Sequence, residues 1–182
     1  MNYTLSKTIE QYQNGEPQKF LFFWGHRPSR DGSMSKSCFS QWFESPFEVE
    51  GIIYNTAEHW MMAKKAELFE DEEMRQQIVV AKSAAEAKKL GRQVRNFKPE
   101  IWDANKFEFV VEGNRHKFQQ HPKMQEFLLN TNNRILVEAS PYDKIWGIGM
   151  AQDHKDILRP DCWKGKNLLG FALMEVRSSC RL

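Results

Sequence analysis

The stretch "NTAEHWMMAKKAELF", residues 55–69, marks the point where the sequence changes from short extended segments to helices. Its apolar spacing is typical of an amphipathic α-helix. Asn55 followed by Glu58 fits a capping box, which predicts Asn55 as the N-cap and Glu58 as the N3 residue. Glu58 and Lys65 are seven residues apart, or about 10 Å of helical rise, so the pattern places a carboxylate and an amine on one stripe of this helix.

The segments before this helix predict a small amount of β-structure. Residues 1–18 are polar and are expected to form a loose lead-in. "KFLFFWG", residues 19–25, is a short aromatic run ended by glycine, which favours a buried strand. "SPFEVEGIIYN", residues 45–55, alternates and turns at Glu50 and Gly51, as a β-hairpin does.

The remainder of the chain is predicted to be mainly helical. Ser83 and Glu86 fit a second capping box, and Gly91 is placed to end that helix at C′. "RILVEAS", residues 134–140, predicts a strand, and "KIWGIG", residues 144–149, predicts a second extended segment. The predicted helices cover 71–81, 83–91, a long helix opened by Pro99, a helix opened by Pro122, and 167–177. We therefore expect an α+β fold that is predominantly α-helical with a small β-sheet.

Composition bounds the class of protein. A chain of 182 residues can bury one core, so a single domain over residues 19–182 is expected. The formal net charge of +2 is too small to argue for nucleic acid or an anionic membrane as a partner, so any nucleic-acid contact must be local. The sequence has no apolar leader, no membrane-spanning run and only three dispersed cysteines, which suits a reducing compartment. We expect a cytoplasmic protein without metal or other cofactor, because its five histidines show no metal-binding spacing.

The residues themselves leave two interpretations of Glu58 and Lys65 open. Glu58 is explained as a helix cap, and Lys65 as a surface lysine whose stem lies along the apolar face. Alternatively, an aromatic pocket desolvates both, which raises the pKa of the carboxyl and lowers that of the amine, while their mutual attraction opposes both shifts. Trp146 is explained as a core residue or, alternatively, as a stacking platform, and Asp143 is explained as the cap of a turn after Pro141.

Candidate phosphate contacts occur before the last predicted helix and after an earlier one. Gly165, Lys166 and Asn167 precede an apolar helix, where free N–H groups and the helix dipole favour an anion. Arg92 follows Gly91, and its guanidinium group is suited to bidentate binding of phosphate. Most helix starts and surface arginines bind nothing, so a solvated surface is the alternative for all of these residues.

A set of motifs in one order carries a resemblance to a known family. These motifs are "FFWG", "FSQWFESPFEVEG", "TAEHWMMAKKA", "LGR", "LVEASPYDKIWGIG" and "GKNLLGFALMEVR". Together they resemble the NADAR or YbiA-like family from about residue 20 to residue 177. The resemblance implies an N-glycosidase that cleaves the bond between ribose and a base. It implies two substrate types: riboflavin-pathway ribosylamino-pyrimidine phosphates, and ADP-ribose attached to guanine bases of DNA or RNA. No membrane and no obligate protein partner is expected.

The resemblance also implies roles for individual residues. Glu58 and Lys65 fall on the positions of the catalytic acid and the catalytic lysine. The expected substrate-binding residues are Trp24, Asp143, Trp146, Gly147 and Asn167, to which we add Arg92 and Lys166 as phosphate contacts. Two positions depart from the family pattern, because Gln41 stands where asparagine is common and Ile148 where some members have aspartate. The alternative function is therefore a non-catalytic module that binds ADP-ribose or a nucleotide.

Overall fold

A computed structural model describes residues 2–180 of the chain and shows a mainly helical α+β fold. Between residues 2 and 180 it contains seven α-helices and two β-sheets of two strands each. The helices are α1 (Leu5–Gln13), α2 (Ala57–Leu68), α3 (Glu72–Val79), α4 (Ala84–Gly91), α5 (Pro99–Gln120), α6 (Pro122–Leu129) and α7 (Leu168–Ser179). The strands are β1 (Phe20–Phe23), β2 (Phe47–Val49), β3 (Ile52–Tyr54) and β4 (Ile135–Glu138). The predicted fold class is confirmed, with the β-structure divided between two small sheets.

Strands β1 and β4 lie side by side as a parallel pair. Phe23 is in register with Glu138, so the carboxyl ends of the two strands coincide. Helix α7 packs so closely on β4 that a Cβ atom on Gly170 would lie 2.0 Å from the Leu136 carbonyl oxygen. The residues that follow β1 and those that follow β4 therefore leave the sheet at the same end. Trp24 is the first residue after β1.

Strands β2 and β3 form the predicted hairpin. Glu50 and Gly51 occupy its turn, with φ angles of 52° and 80°. Positive φ at both central residues is typical of a type I′ turn, whose twist fits the twist of the flanking strands. The predicted position of this turn is confirmed.

The start of α2 differs from the prediction by one residue. Thr56, not Asn55, is the N-cap, and its hydroxyl oxygen accepts the N–H of His59. Glu58 is therefore the N2 residue, and the predicted capping box with Asn55 is wrong. Residues 57–63 are all buried, because α3, α4 and α5 pack around this helix. The predicted amphipathic helix is thus a buried helix for its first two turns.

Two further predictions need correction. Gly91 is the last residue of α4 and not a cap beyond it, and a Cβ atom there would lie 2.1 Å from the sulfur of Met62. Residues 144–149 form turns instead of an extended segment, because the carbonyl groups of 144–147 accept N–H groups from residues 166–169. The other predicted helices and β4 are confirmed to within two residues at each end.

The N-terminal lead-in contains α1 and contacts the last helix. Thr4 caps α1, with its side-chain oxygen accepting the N–H of Lys7. Just before it, the Tyr3 hydroxyl lies 2.8 Å from the Ser178 hydroxyl oxygen in α7. The contact between Tyr3 and Ser178 joins the N-terminal segment to the last helix.

Candidate active site

The edge of the sheet where β1 and β4 end lies beside the start of α2. Glu58, in the first turn of α2, donates its N–H to the Gln41 carbonyl oxygen at 3.0 Å. Glu138 is the last residue of β4 and interacts electrostatically with Glu58 and with Asp143. In open sheets of parallel strands, ligands bind beyond the carboxyl ends. We therefore treat Glu58, Glu138 and Asp143, named here the acid site, as the candidate active site.

Glu58 is a buried carboxyl that lacks a complete set of partners. Its residue is only 2% exposed, and its Oε1 atom has no hydrogen-bond partner. Burial raises its pKa to about 7, and the positive charge of Lys88 and a hydrogen bond from the Trp42 side chain offset this only in part. The charge of Asp143 raises this pKa further, while that of Arg92 lowers it. The carboxyl therefore titrates near neutral pH.

Glu138 is a second carboxyl of the same kind, and the sequence did not single it out. Its Oε2 atom is buried without a hydrogen-bond partner. Burial raises its pKa to about 8, the charge of Asp143 adds to the rise, and that of Lys88 opposes it. The charge of Glu58 also raises this pKa, so the two carboxyls resist being ionised together. The available signal was an acidic residue at the end of the apolar run "RILVEAS".

Unpartnered buried polar atoms concentrate around these two carboxyls. Between residues 2 and 180, five buried side-chain nitrogen or oxygen atoms lack a hydrogen-bond partner, and four belong to Gln41, Glu58, Asn114 and Glu138. The Gln41 side-chain oxygen accepts the Asn114 amide at 2.7 Å, so these residues are connected. Nearly all buried polar groups in native proteins are hydrogen-bonded. Such a concentration of exceptions indicates a place where a ligand completes the bonding.

A tight turn after β4 presents Asp143 to the two carboxyls. Asp143 Oδ1 accepts the N–H groups of Ile145 and Trp146, each at 2.8 Å. A Cβ atom on Gly147 would lie 2.8 Å from the Glu138 carbonyl oxygen and 3.0 Å from that of Asp143, so only glycine fits. Trp146 is partly buried and packs against the main core. The turn thus brings two predicted site residues, Asp143 and Gly147, next to Glu138, and it carries Trp146 as a third.

Exposed aromatic rings follow the carboxyl ends of β1 and β4. Trp24 follows β1 and is 55% exposed, and Tyr142 lies in the turn after β4 and is 86% exposed. Their ring centroids are 6.2 Å apart. Exposed rings of this kind stack on bases and sugars. Trp24 as a substrate-binding residue stays a prediction, whereas Tyr142 was not predicted.

Comparison with known proteins identifies relatives of this chain. Residues 22–181 match the family model of the NADAR domain. The chain belongs to the NADAR family. The N-glycosidase R617 of Acanthamoeba polyphaga mimivirus is 44% identical over 167 residues, which cover 89% of this chain and 96% of that protein. The N-glycosidase YbiA of Escherichia coli (strain K12) is 34% identical over 141 residues, 78% of each chain. The NMR structure of the E. coli protein YbiA matches with a TM-score of 0.71 at 29% identity, covering 90% of this chain and 86% of that one.

The two departures from the NADAR pattern have different surroundings. Ile148 is fully buried in a small core cluster with Val137, Met150 and Trp163. Its side chain therefore contributes to packing and not to the acid site. Gln41 bonds to Glu58 and Asn114, and its side-chain nitrogen is one of the unpartnered buried atoms. Of the two departures, only the glutamine lies at the candidate site of this NADAR protein.

Lys65 lies at the opposite end of the α2 stripe from Glu58. Its Nζ atom donates to the Gly91 carbonyl oxygen at 2.7 Å and lies 4.0 Å from the centroid of the Phe97 ring. Burial lowers the pKa of its amine. The charges that shift the pKa of Glu58 include that of Arg92, the residue after Gly91, but not that of Lys65. The structure thus places Lys65 in an aromatic-lined region beside Gly91 and Phe97, apart from the acid site, and its catalytic role stays a prediction.

The start of α7 offers no free backbone donors to a phosphate in residues 166–169. All four of these N–H groups donate to the carbonyl groups of residues 144–147. The predicted reason for anion binding at this helix start therefore does not hold. Lys166 and Arg92 have exposed side chains, and they stay candidates for phosphate contact through those side chains alone.

Asn167 connects the start of α7 to the end of β4. It is fully buried and adopts a left-handed backbone conformation with φ of 54°. Its side-chain oxygen accepts the N–H of Glu138 at 3.0 Å, and its amide nitrogen donates to the Leu136 carbonyl oxygen at 2.9 Å. These bonds fix the end of β4, so Asn167 orients the backbone of Glu138.

Residues 2–180 of this NADAR protein offer neither a metal-binding cluster nor a membrane-spanning helix. No group of three His, Cys, Asp or Glu side chains in this range is arranged to hold a metal ion. No helix in the same range combines the length and the apolar character that crossing a membrane requires.

Proposed function

We propose that this NADAR protein hydrolyses the bond between C1 of ribose and a nitrogen of a base in a phosphorylated ribosyl or ADP-ribosyl substrate. The chain is a hydrolase of the N-glycosidase class, the class of its named relatives. The proposal concerns the bond that it cleaves and the substrate that carries it. The observation that carries the proposal is Glu58, a buried carboxyl with an unpartnered oxygen and a pKa raised to about 7.

The chemistry of the reaction explains why such a carboxyl is useful. Breaking a ribosyl C–N bond develops positive charge at C1 and at the ring oxygen. A carboxylate in a water-poor site stabilises this charge strongly, because a low dielectric strengthens the interaction and the group is already in place. Glu58 can also take the proton of the attacking water, since a base works best when its pKa lies near the working pH.

Lys65 is proposed as the second catalytic residue. Burial lowers the pKa of its amine, so a larger fraction is uncharged and nucleophilic. An uncharged amine can attack C1 of a ring-opened sugar: the C1–N bond to the base breaks with its electron pair going to nitrogen, and a Schiff base forms at the lysine. Water then adds to C1 of the Schiff base, which releases the sugar and frees the amine. In this proposal C1 of the ribose lies between the side chains of Glu58 and Lys65, and the amine leaves the Gly91 carbonyl oxygen to reach it.

The remaining predicted residues divide into those that contact substrate and those that shape the site. Trp24, together with Tyr142, is proposed to stack on the base or sugar. Arg92 and Lys166 are proposed to bind phosphate through their side chains. The residues proposed to shape the site are Asp143, Trp146, Gly147 and Asn167, whose contacts hold the turn after β4.

Two substrate types satisfy this chemistry, and one experiment separates them. The purified protein is incubated with an oligonucleotide that carries ADP-ribosylated guanine and, separately, with a ribosylamino-pyrimidine phosphate, and products are identified by mass. We expect release of the unmodified base or of ribose phosphate from one of them, and no release by the Glu58→Gln variant. Absence of release from both, with retained binding of ADP-ribose, would support the non-catalytic module instead.

A further inference from the structure

We propose that Glu138 is a catalytic residue, the general acid that protonates the leaving base while Glu58 acts on C1 and water. This inference rests on the proposed function and adds a second carboxyl to it. It depends on where Glu138 lies, on which of its atoms are bonded, and on the groups that face it.

The backbone of Glu138 is held on both sides, whereas its side chain is not fully bonded. Its N–H donates to the Asn167 side-chain oxygen at 3.0 Å, and its carbonyl oxygen accepts the N–H of Ile148 at 3.0 Å. Its Oε2 atom is buried without a hydrogen-bond partner. A glutamate that only stabilised the fold would have its buried oxygens bonded within the protein. The rigid backbone and unpartnered oxygen are the combination required of a group that must meet a substrate.

The charged groups that face Glu138 come from three elements. Asp143 lies in the turn after β4, Glu58 in α2 and Lys88 in α4. The first two disfavour a negative charge on Glu138, and Lys88 alone favours it. Asp143 Oδ1 already accepts two N–H groups of its own turn, which fixes the position of this carboxyl group beside Glu138. The arrangement therefore keeps a proton on the carboxyl at the strand end.

Two neighbouring carboxyls with different surroundings can divide acid and base roles. Lys88, the Trp42 side chain and Arg92 all lower the pKa of Glu58, whereas the pKa of Glu138 is lowered by the charge of Lys88 alone among its neighbours in residues 2–180. The surroundings therefore favour the ionised form of Glu58 more than that of Glu138. In the proposed step Glu138 accordingly carries the proton and Glu58 is the carboxylate.

The proposed step balances in protons and electrons. The C1–N bond breaks with its electron pair going to nitrogen, and that nitrogen takes the proton of the Glu138 carboxyl. Water adds to C1, and its proton passes to the Glu58 carboxylate. The proton on Glu58 then returns to Glu138 through solvent as products leave, which restores the starting pair. One water is consumed for each bond cleaved.

A comparison of leaving groups tests this role. The Glu138→Gln variant keeps the shape of the side chain and removes the acid. We measure kcat with the natural N-ribosyl substrate and with 4-nitrophenyl riboside 5-phosphate, whose leaving group needs no proton. We expect a loss of about 10² to 10⁴-fold on the first, the usual contribution of a general acid, and of less than about fivefold on the second. Glu138→Asp should restore part of the first rate.

Glu100→Gln, an exposed change at the start of α5, is the matched control and should leave both rates unchanged. Equal losses by Glu138→Gln on both substrates would mean that Glu138 only supports the fold, and would overturn the proposal. A second readout needs no turnover: ¹³C NMR of the Glu138 carboxyl in the wild-type protein. We expect it to be protonated at pH 7, and a carboxylate at that pH would also overturn the proposal. Absence of base release by the wild type would instead count against the proposed function.

Discussion

Lys117 and Glu58 are both buried charged residues, and both are connected to the short segment Cys38–Trp42. Lys117, in α5, is 0% exposed, and its Nζ atom donates to the carbonyl oxygens of Cys38 at 2.7 Å and Ser40 at 3.0 Å. Burial lowers its pKa to about 8. Glu58 is buried to the same degree, yet one of its oxygens has no partner. The lysine is satisfied by the protein, and the glutamate is not.

This difference separates a structural charge from one reserved for substrate. Lys117 fixes the segment that carries Gln41 and Trp42 to Glu58, so its contribution to the site is indirect. Glu58 and Glu138 combine a raised pKa with an unpartnered oxygen, which is the combination found at functional sites. A shifted pKa alone would not distinguish them, because burial also shifts the pKa of Lys117, in its case downwards. The unfilled hydrogen-bonding capacity is the more selective signal.

The largest effect is expected for Glu58→Gln. The amide keeps the shape of the side chain and cannot carry the negative charge that stabilises C1, so kcat should fall by about a thousandfold or more. The measurement is base release followed by chromatography and mass. Stability should be retained, because the change removes a buried ionisable group.

The control for that experiment is Glu67→Gln on the same helix. Glu67 is an exposed residue paired with Lys64, and its loss should leave kcat within about twofold, since surface ion pairs contribute little. A Glu58→Gln variant with wild-type turnover would remove Glu58 from the mechanism and with it the proposed distinction between the two buried charges.

A smaller loss is expected for Lys65→Met. The substitution keeps most of the apolar stem beside Phe97 and removes the amine, so kcat should fall by about a hundredfold. Borohydride added during turnover should trap an adduct on Lys65 that mass spectrometry locates. Lys64→Met is the matched control, because Lys64 is the neighbouring residue and pairs with Glu67 at the surface. Turnover without any trapped adduct would limit Lys65 to binding.

Local signals in the sequence predicted most of the elements of the fold. The Glu50 and Gly51 turn, Pro99 and Pro122 at helix starts, and the Ser83 cap all act within a few residues. The parallel pairing of β1 with β4 could not be derived in this way, because it joins segments far apart in sequence. The turns at 144–149 were missed for the same reason, since their carbonyl groups bond to the start of α7.

Residues of the candidate site could be predicted only where they stand in a sequence motif of the family. Glu58 and the 143–147 turn stand in motifs of the NADAR resemblance, and the structure places them together. Glu138 was missed because its importance comes from burial and from three neighbouring charges, none of which is local in sequence. Asn167 illustrates the opposite case: the motif marks it, but its left-handed backbone and bonds to β4 show a positioning contact that spacing alone does not reveal.

The Lys117→Met variant tests whether Lys117 has the structural role that the comparison with Glu58 assigns to it. The thioether keeps the length of the chain but cannot donate, so the carbonyl oxygens of Cys38 and Ser40 lose their buried donor. We expect a loss of about 1 to 3 kcal/mol in the free energy of unfolding, measured by urea titration. The exposed Lys123→Met change should cost less than about 0.5 kcal/mol. Equal stability of these two variants would show that Lys117 is not the structural charge proposed here.

The smallest effect concerns the pH dependence of stability. Glu138 has its pKa raised from 4.5 to about 8 in the folded protein, so between these values the native state holds a proton that the unfolded state releases. Stability from this group is therefore full below pH 4.5 and is lost as pH rises towards 8. The difference in unfolding free energy between Glu138→Gln and wild type should change by about 1 to 3 kcal/mol between pH 5 and pH 8, in favour of the variant at pH 8. His59, whose pKa burial lowers, contributes the opposite slope, but it does so in both proteins and cancels in the difference. A difference that stays constant with pH would mean that the folded protein ionises Glu138 as readily as the unfolded chain.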